Sequence, residues 1–351
     1  MARLAQLRLS MTVAILLVSI IFGAFIIALL LLFQLPFTIS LAFTLFAVIV
    51  FILLQYLIGP AIVVRSTRLR YLTPDEVAQL QWASEAKEMA QKSGIPAPKL
   101  AVVPDPTPNA FVFGRTTQGA TLAVHEGLLK QLSKEEIRGV VGHELGHIKH
   151  KDFVVMTVLS ALPLIAYLIA QIGFRVALAT DGGKKKGGEA ALRAALLVAS
   201  AVSFVVYIVT LLCVMRLSRL REHFADSYSA YLTGEPRQLE SALTKITYGL
   251  SLSPKPPHGA RTLYIGDPAL AKQECRGLLQ RKSEYDLDKD GVLDERELQI
   301  AMESEAKSRW TTVNTWFATH PATYQRILLL REIGKEMVSG RYASDRIYAY
   351  I

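Results

Sequence analysis

The sequence predicts a mostly α-helical, polytopic membrane protein with two transmembrane hairpins and a soluble body that contains a small β-sheet. Three observations support this fold class. The chain of 351 residues has a mean hydropathy of +0.31, which a soluble protein of this length rarely reaches. Its apolar residues, 51% of the total, are concentrated in long blocks. The remaining segments have the patterns of amphipathic helices and short strands.

The first predicted element is a transmembrane hairpin over residues 1–58. Met11–Phe33 carries no charged residue. As a helix it would extend roughly 34 Å, enough to cross a hydrocarbon core of about 30 Å. A second apolar run, Phe37–Ile58, follows after a short turn. Arg3 and Arg8 before the first run are also typical of a signal peptide, but the run is far longer than a signal-peptide core.

Two further apolar blocks, Phe153–Ala179 and Ala190–Met215, predict a second hairpin over residues 153–215. Pro163 and Gly173 interrupt the first of these blocks. The block is therefore either a kinked span or a hairpin that enters the membrane without crossing it fully. A flexible, basic linker joins the two blocks.

The soluble body is predicted to consist of residues 59–152 and 216–351. Thr73 caps a helix that runs to about Lys92. Ser133 and Glu136 have the spacing of a capping box, which would start a second helix. Short strands are expected between these helices, at residues 99–103, 110–113 and 120–124.

Charge and cysteine content exclude several classes of function. The net charge of +9 comes from Lys and Arg residues that flank the apolar blocks, which is typical of membrane orientation. No nucleic-acid-binding motif is present, so we expect contact with membrane lipid and no nucleic-acid partner. Cys213 and Cys275 form no CxxC pair. A metal site must therefore use histidines and carboxylates.

The arginines around the apolar blocks predict a multi-pass protein of the cell membrane with its soluble body in the cytoplasm. If every block crosses, all these arginines lie on one side, and the positive-inside rule makes that side cytoplasmic. They are Arg3, Arg8, Arg65, Arg68, Arg70, Arg216, Arg219 and Arg221. Four full crossings would place Lys184, Lys185 and Lys186 outside. Either lysines flanked by glycines are tolerated there, or the second hairpin enters the membrane without crossing it.

The motif H-E-x-x-H occurs once, at His143, Glu144 and His147. On a helix, positions i and i+4 share one face, so both imidazoles can bind the same cation. Glu144 would lie to the side, within reach of a metal-bound water. The alternative is a solvated helix with accidental histidines, but the apolar residues around the motif indicate a packed helix.

A catalytic zinc ion usually has three protein ligands, so one ligand is missing from this motif. Glu222 is the best candidate because Asp226 lies one turn later on the same helical face. One carboxylate would bind the metal, and the other would accept the N–H of a ligand histidine. Two alternatives stay open: a surface acid on an amphipathic helix, and His223 as a competing ligand that faces away from Asp226.

Three motifs, His143-Glu-Leu-Gly-His147, Arg221-Glu-His-Phe-Ala-Asp226 and Thr319-His-Pro321, together resemble the HtpX-type membrane metalloproteases. These proteases are relatives of the CAAX prenyl proteases among the glutamate-ligand zincins. The resemblance extends from the first apolar pair to about Arg331. It implies a zincin-like catalytic body.

The resemblance also implies roles for individual residues. The zinc ligands would be His143, His147 and Glu222, with Glu144 as general base. Asp226 would support a ligand, and His320 would act near the oxyanion. Asn109-Ala-Phe111 is similar to the segment that the family has in this part of the chain, next to the predicted strands. The similarity makes Asn109 a candidate substrate-binding residue.

The predicted reaction is hydrolysis of a peptide bond by zinc-activated water, with Glu144 as the base. The resemblance implies protein or peptide substrates, particularly misfolded or membrane proteins, and a role in membrane-protein quality control. Two alternatives are the processing of lipidated peptides and a non-catalytic membrane scaffold with structural zinc. An extended substrate is expected to pair with an edge strand formed by Ala120, Thr121, Leu122, Ala123 and Val124.

Residues 286–297 match a calcium loop of EF-hand type, inside an insertion at about 271–307. Gly291 allows the sharp turn at the sixth loop position. Oxygen ligands would come from Asp286, Asp288, Asp290, the Val292 carbonyl, Asp294 and Glu297. An acidic, solvated turn between two helices is the alternative. The sequence thus predicts a zinc ion and, in addition, a calcium ion.

Overall fold

A computed structural model describes residues 37–179, 187–252, 264–268, 270–272, 282–288, 297, 300–301, 318–342 and 347. The first predicted span, Met11–Phe33, and the lysines at 184–186 lie outside these residues. The helices are α1 (Phe37–Thr67), α2 (Pro74–Gln79), α3 (Gln81–Lys92), α4 (Glu126–Gln131), α5 (Lys134–His150), α6 (Asp152–Ala179), α7 (Gly187–Thr233), α8 (Pro236–Leu252), α9 (Lys282–Tyr285) and α10 (Thr323–Val338). The strands are β1 (Arg70–Tyr71), β2 (Lys99–Val103), β3 (Ala110–Phe113) and β4 (Thr121–His125).

One compact unit consists of residues 6–59 and 155–217 and contains the apolar parts of α1, α6 and α7. Each of these helices has a stretch that is long and apolar enough to cross a membrane: Ile49–Thr67, Asp152–Ala179 and Ala190–Thr233. Large apolar side chains point outwards from them. Phe46 and Val205, for example, are 65% and 60% exposed. Because lipid solvates such side chains and water does not, the chain is a multi-pass membrane protein.

The apolar block that begins at Phe153 is a single helix rather than a hairpin. α6 continues through Pro163 over 28 residues, a length of roughly 42 Å at 1.5 Å per residue. Polar and aromatic contacts connect the helices of this unit. Gln55 donates to the Ser160 hydroxyl at 3.3 Å, and the rings of Tyr167 and Tyr207 lie 5.3 Å apart.

The other compact unit includes residues 60–154 and 218–351 and holds the sheet. The strand order is β1-β2-β4-β3, with β2 and β4 parallel and the other pairs antiparallel. The strands predicted at 99–103 and 110–113 are confirmed. β1 was not predicted because two residues are too few to show alternation. The predicted helix at 73–92 is two helices, because Leu80 has extended backbone angles between α2 and α3.

The prediction of a substrate-binding edge strand at residues 120–124 is wrong. β4 pairs with β2 on one side and with β3 on the other, so its backbone groups already have partners. This applies to Thr121, Leu122, Ala123 and Val124, while the Ala120 carbonyl accepts from the Lys99 backbone N–H at 2.9 Å. The sequence does not reveal this order, because β4 follows β3 along the chain but lies between β2 and β3 in the sheet. Among the described strands, β1 and β3 form the two edges.

Helix α5 runs through the hydrophobic core of the soluble unit. Its side chains Val140, Leu145 and Ile148 have no exposed surface. It packs against α3 and α8 and contacts β3. Because close-packed cores tolerate little displacement, this environment fixes the position of the helix that carries the two histidines.

Candidate metal centre

The capping box predicted for the histidine helix is confirmed. The Ser133 hydroxyl accepts from the Glu136 backbone N–H at 3.3 Å, and the Glu136 carboxylate accepts from the Ser133 N–H at 2.7 Å. Further along α5, the Nε2 atoms of His143 and His147 lie 3.0 Å apart. The i, i+4 spacing therefore does bring both imidazoles to one point.

Helix α7 approaches α5 closely at two glycines. A Cβ atom on Gly146 would lie 3.0 Å from the Cα of Ala225, and one on Gly142 would lie 2.9 Å from the Ser229 hydroxyl. Larger residues at these positions would push the two helices apart. The close approach brings the carboxylates of α7 up to the histidines of α5.

His143, His147 and Glu222 offer ligand atoms that all lie within 4.8 Å of one another. One Glu222 oxygen is 3.4 Å from His143 Nε2, and the other is 3.5 Å from His147 Nε2. Glu222 Oε2 is buried without a hydrogen-bond partner, and the guanidinium Nη1 of Arg326 lies 3.5 Å from it. A buried carboxylate oxygen left without a hydrogen bond can still accept a metal ion. Two imidazoles and one carboxylate form a common ligand set of catalytic zinc. The residues therefore fit a zinc ion. Among the described residues, His223 belongs to no such cluster.

Each histidine of the cluster places its Nδ1 atom against a buried carboxylate. His143 Nδ1 lies 2.9 Å from Asp226 Oδ1, and His147 Nδ1 lies 2.6 Å from Asp152 Oδ2. Such contacts fix the ring and direct the Nε2 lone pair towards a metal. Sequence reasoning proposed Asp226 and missed Asp152. Lys151 has a left-handed backbone, with φ of 59°, which ends α5 just before Asp152.

Two buried arginines hold these carboxylates, and sequence reasoning missed both. Arg326 of α10 donates to the two Asp226 oxygens at 2.7 and 2.8 Å. Arg221 donates from Nε to Asp152 Oδ1 at 2.8 Å. Arg221 is the first residue of the motif Arg221-Glu-His-Phe-Ala-Asp226, and its place in that motif could have indicated a role in the centre. Arg326 lies on an amphipathic helix, where no local pattern distinguishes it from a solvated basic residue.

Burial and neighbouring charges set the protonation of the centre. Burial disfavours the charged form of His143, but hydrogen bonds to Asp226 and Glu222 outweigh it and raise the pKa of His143 to about 9. A cation must compete with this proton, so metal binding weakens as the pH falls below that value. Burial also raises the pKa of Glu144, although both cluster histidines oppose the shift. The shift moves Glu144 towards the range that suits a general base at neutral pH.

His320 and Asn109 occupy different places. His320 Nε2 lies 3.7 Å from Glu222 Oε1, so His320 is part of the centre. Burial lowers the pKa of this histidine. The Asn109 side-chain oxygen accepts from the Ile265 backbone N–H at 2.9 Å. The Ile265 carbonyl in turn accepts from Arg326 at 2.5 Å. A role of Asn109 in substrate binding stays a prediction.

Part of the predicted calcium loop is also described. The carboxylates of Asp286, Asp288 and Glu297 lie within 4.8 Å of one another. Glu297 Oε1 accepts from the backbone N–H groups of Leu287 and Asp288, at 2.6 and 3.3 Å. The other predicted ligands, Asp290, Val292 and Asp294, lie outside the described residues. Calcium binding stays a prediction.

Comparison with known proteins identifies the family. Residues 76–334 match peptidase family M48. This chain belongs to peptidase family M48. One relative is a protease HtpX homolog of Methanothermobacter thermautotrophicus, 38% identical over 200 residues, which covers 57% of this chain and 71% of the relative. Another, from Thermococcus sibiricus, is 32% identical over 286 residues, which covers 81% and 83%. The crystal structure of S. mikatae Ste24p gives a TM-score of 0.48 at 15% identity, covering 93% of this chain and 67% of that one.

The M48 match spans the whole cluster, from the histidines of α5 to Arg326 of α10. The resemblance to HtpX-type proteases that the three motifs suggested is therefore confirmed. The chain is a multi-pass membrane protein and an M48 metalloprotease.

Proposed function

We propose that this M48 protease is a zinc-dependent endopeptidase that hydrolyses misfolded or membrane proteins as part of membrane-protein quality control. The observation that carries the proposal is the convergence of His143, His147 and Glu222 within 4.8 Å. The buried carboxyl of Glu144 interacts electrostatically with all three. This arrangement supports a metal and a base at the same point.

Each residue around the centre would have a separate role in peptide hydrolysis. When bound, a zinc ion supplies Lewis-acid chemistry, which polarises the scissile carbonyl and activates water near neutral pH. The Glu144 carboxylate accepts a proton from the attacking water and passes it to the leaving amine. Asp226 and Asp152 hold the ligand rings in place. His320, with a proton on each ring nitrogen, would donate from Nε2 to the oxygen on which negative charge develops.

Strand β3 is the edge that we propose for an extended substrate, in place of residues 120–124. It begins directly after Asn109, contacts α5, and pairs with β4 and with no other strand in the part of the chain that the structure describes. Main-chain hydrogen bonds along a free edge bind peptides with little dependence on their sequence. Such binding suits a protease that acts on unfolded segments.

Two other functions were open from the sequence alone. Membership of a peptidase family, together with an intact Glu144, argues against a non-catalytic scaffold with structural zinc. Processing of lipidated peptides is the remaining alternative, and it makes a different prediction about substrates.

Removal of the metal tests the proposed function. We expect the purified full-length chain in detergent to degrade an unfolded soluble protein, to stop when a chelator is added, and to resume when zinc is restored. A prenylated peptide should be no better as a substrate than its unmodified form. Chelator-resistant cleavage would contradict the metal mechanism, and strong preference for the prenylated peptide would favour the processing function.

We also propose that the catalytic body faces the cytoplasm. His147 and Glu222 belong to the same compact unit, and along the chain α6 and the apolar part of α7 lie between them. The chain between them must therefore cross an even number of times. Single cysteines introduced near His147 should resist a membrane-impermeant reagent in intact cells. A cysteine at Lys185 should react if α6 and α7 both cross, and should resist if they do not. Labelling near His147 from outside would reject this orientation.

A calcium ion at residues 286–297 is the second cation that we propose, supported by the convergence of Asp286, Asp288 and Glu297. Calorimetric titration of the zinc-loaded full-length chain with calcium should give a saturable heat that Asp286→Ala/Glu297→Ala removes. Glu295→Ala is the matched control, because it removes an acid of the same loop at a position that supplies no side-chain ligand. Absence of a saturable heat in the unaltered chain would leave only the acidic-turn interpretation.

A further inference from the structure

A short polar chain connects His320 to Asp267 through Thr319. Asp267 Oδ2 accepts from the backbone N–H of Thr319 at 3.3 Å and from the Thr319 hydroxyl at 3.4 Å. The same hydroxyl lies 2.8 Å from His320 Nδ1. All three residues are buried, with exposed fractions of 3 to 5%. A buried polar chain of this kind is stable only when each donor meets an acceptor.

The direction of the hydrogen bonds follows from the carboxylate. An ionised carboxylate only accepts, so the Thr319 hydroxyl donates its proton to Asp267. A lone pair of that hydroxyl then accepts from the Nδ1–H of His320. The reverse arrangement would leave the hydroxyl oxygen and the carboxylate oxygen facing each other without a proton between them, which is unfavourable in a buried site.

The segment that carries Asp267 is itself anchored. Two residues before it, Ile265 is held through its backbone N–H by Asn109 and through its carbonyl by Arg326. The segment that carries Thr319 and His320 is anchored as well, because the Ala318 carbonyl accepts from Arg219 at 2.9 Å. Residues 318–322 lie in no helix or strand, so these side chains, rather than a regular element, determine where His320 lies.

We propose that Asp267 is a positioning residue of the peptidase reaction. It acts through Thr319, whose hydroxyl accepts from Nδ1–H, to fix the ring of His320. Nε2 is thereby kept directed at the metal centre, where a second proton on the ring makes it a donor. Asp226 and Asp152 orient His143 and His147 in the same way but by direct contact. All three imidazoles of the centre would then depend on a buried carboxylate. The proposal deepens, and rests on, the proposed peptidase function.

Threonine substitutions provide a matched kinetic test. Thr319→Val removes the linking hydroxyl and keeps the shape of the side chain. Thr323→Val is the control, because its hydroxyl is also buried but contacts Thr247 at 2.9 Å. We expect Thr319→Val and Asp267→Asn to lower kcat about 10- to 100-fold, the usual cost of losing an orienting partner, with KM and zinc content unchanged. Thr319→Ser should restore kcat. Equal kcat values for the Thr319→Val and Thr323→Val variants would overturn the proposal.

A spectroscopic test separates this proposal from the peptidase function on which it rests. The zinc-loaded Glu144→Gln chain, with ¹⁵N in its histidine rings, should show His320 with a protonated Nδ1. Loss of a signal in His320→Gln assigns it, and Thr319→Val should shift it. A bare Nδ1 with a proton on Nε2 alone would overturn the positioning chain whether or not the protein cleaves peptides. Failure of the chain to show chelator-sensitive cleavage would instead contradict the proposed function.

Discussion

Glu144→Gln is expected to reduce the rate of peptide hydrolysis about 10²- to 10⁴-fold while the zinc content stays the same, because a general base typically contributes that much. The amide of glutamine has nearly the size of the carboxylate but cannot accept the proton of the attacking water. Glu144 is not a member of the ligand cluster His143, His147 and Glu222, so metal binding should persist. Single-turnover rates and zinc content measured on the same sample would check both statements.

The control for this variant is Glu135→Gln on the same helix. Glu135→Gln is the same chemical change at an exposed position in the first turn of α5. It should leave the rate within about twofold, as expected for a surface substitution. Thermal unfolding gives a second check. Burial disfavours the charge of Glu144 and raises its pKa, so replacing it by a neutral amide should not lower the melting temperature. A variant that cleaves at close to the original rate with zinc bound would contradict the mechanism.

The part of the centre that sequence reasoning could predict is the part encoded locally. His143, Glu144 and His147 lie within five residues on one helix, so helical geometry alone sets their arrangement. The capping box at Ser133 and Glu136 is local for the same reason. The calcium loop at 286–297 is another local pattern, which explains how the sequence proposes a complete ligand set where the structure describes only three of its carboxylates.

Features that depend on distant parts of the chain were missed or misplaced. Asp152 and Arg221 meet across 69 residues, and Arg326 meets Asp226 across 100 residues. A buried arginine and a solvated one look alike in a sequence, because burial is a property of the assembled core. The position of β4 inside the sheet has the same origin, since strand order is decided by pairing between segments and not within one.

Glu222 combines a local signal with a distant one. The sequence makes it a candidate ligand, but it does not show whether Glu222 or its neighbour His223 reaches the metal centre. The geometry favours Glu222, whose oxygens lie 3.4 and 3.5 Å from the two Nε2 atoms. The close packing of α7 on α5 at Gly146 determines which face of α7 meets the histidines. Neighbouring residues on a helix point about 100° apart, so only one of the two side chains can reach the centre.

Glu222→Ala is therefore expected to lower zinc affinity by more than about 100-fold, since even the loss of an orienting partner costs 10- to 100-fold. His223→Ala should leave zinc affinity unchanged. The two substitutions truncate adjacent side chains of the same helix, so any general loosening of α7 should appear in both, and melting temperatures would reveal it. Competition with a chromophoric chelator at fixed pH measures the affinities, and the pH must be held constant because His143 binds a proton in competition with the metal. Equal loss of zinc from both variants, or loss only from His223→Ala, would overturn Glu222 as the third ligand. Loss only from Glu222→Ala would show that the carboxylate of α7 completes the ligand set begun by the two histidines of α5.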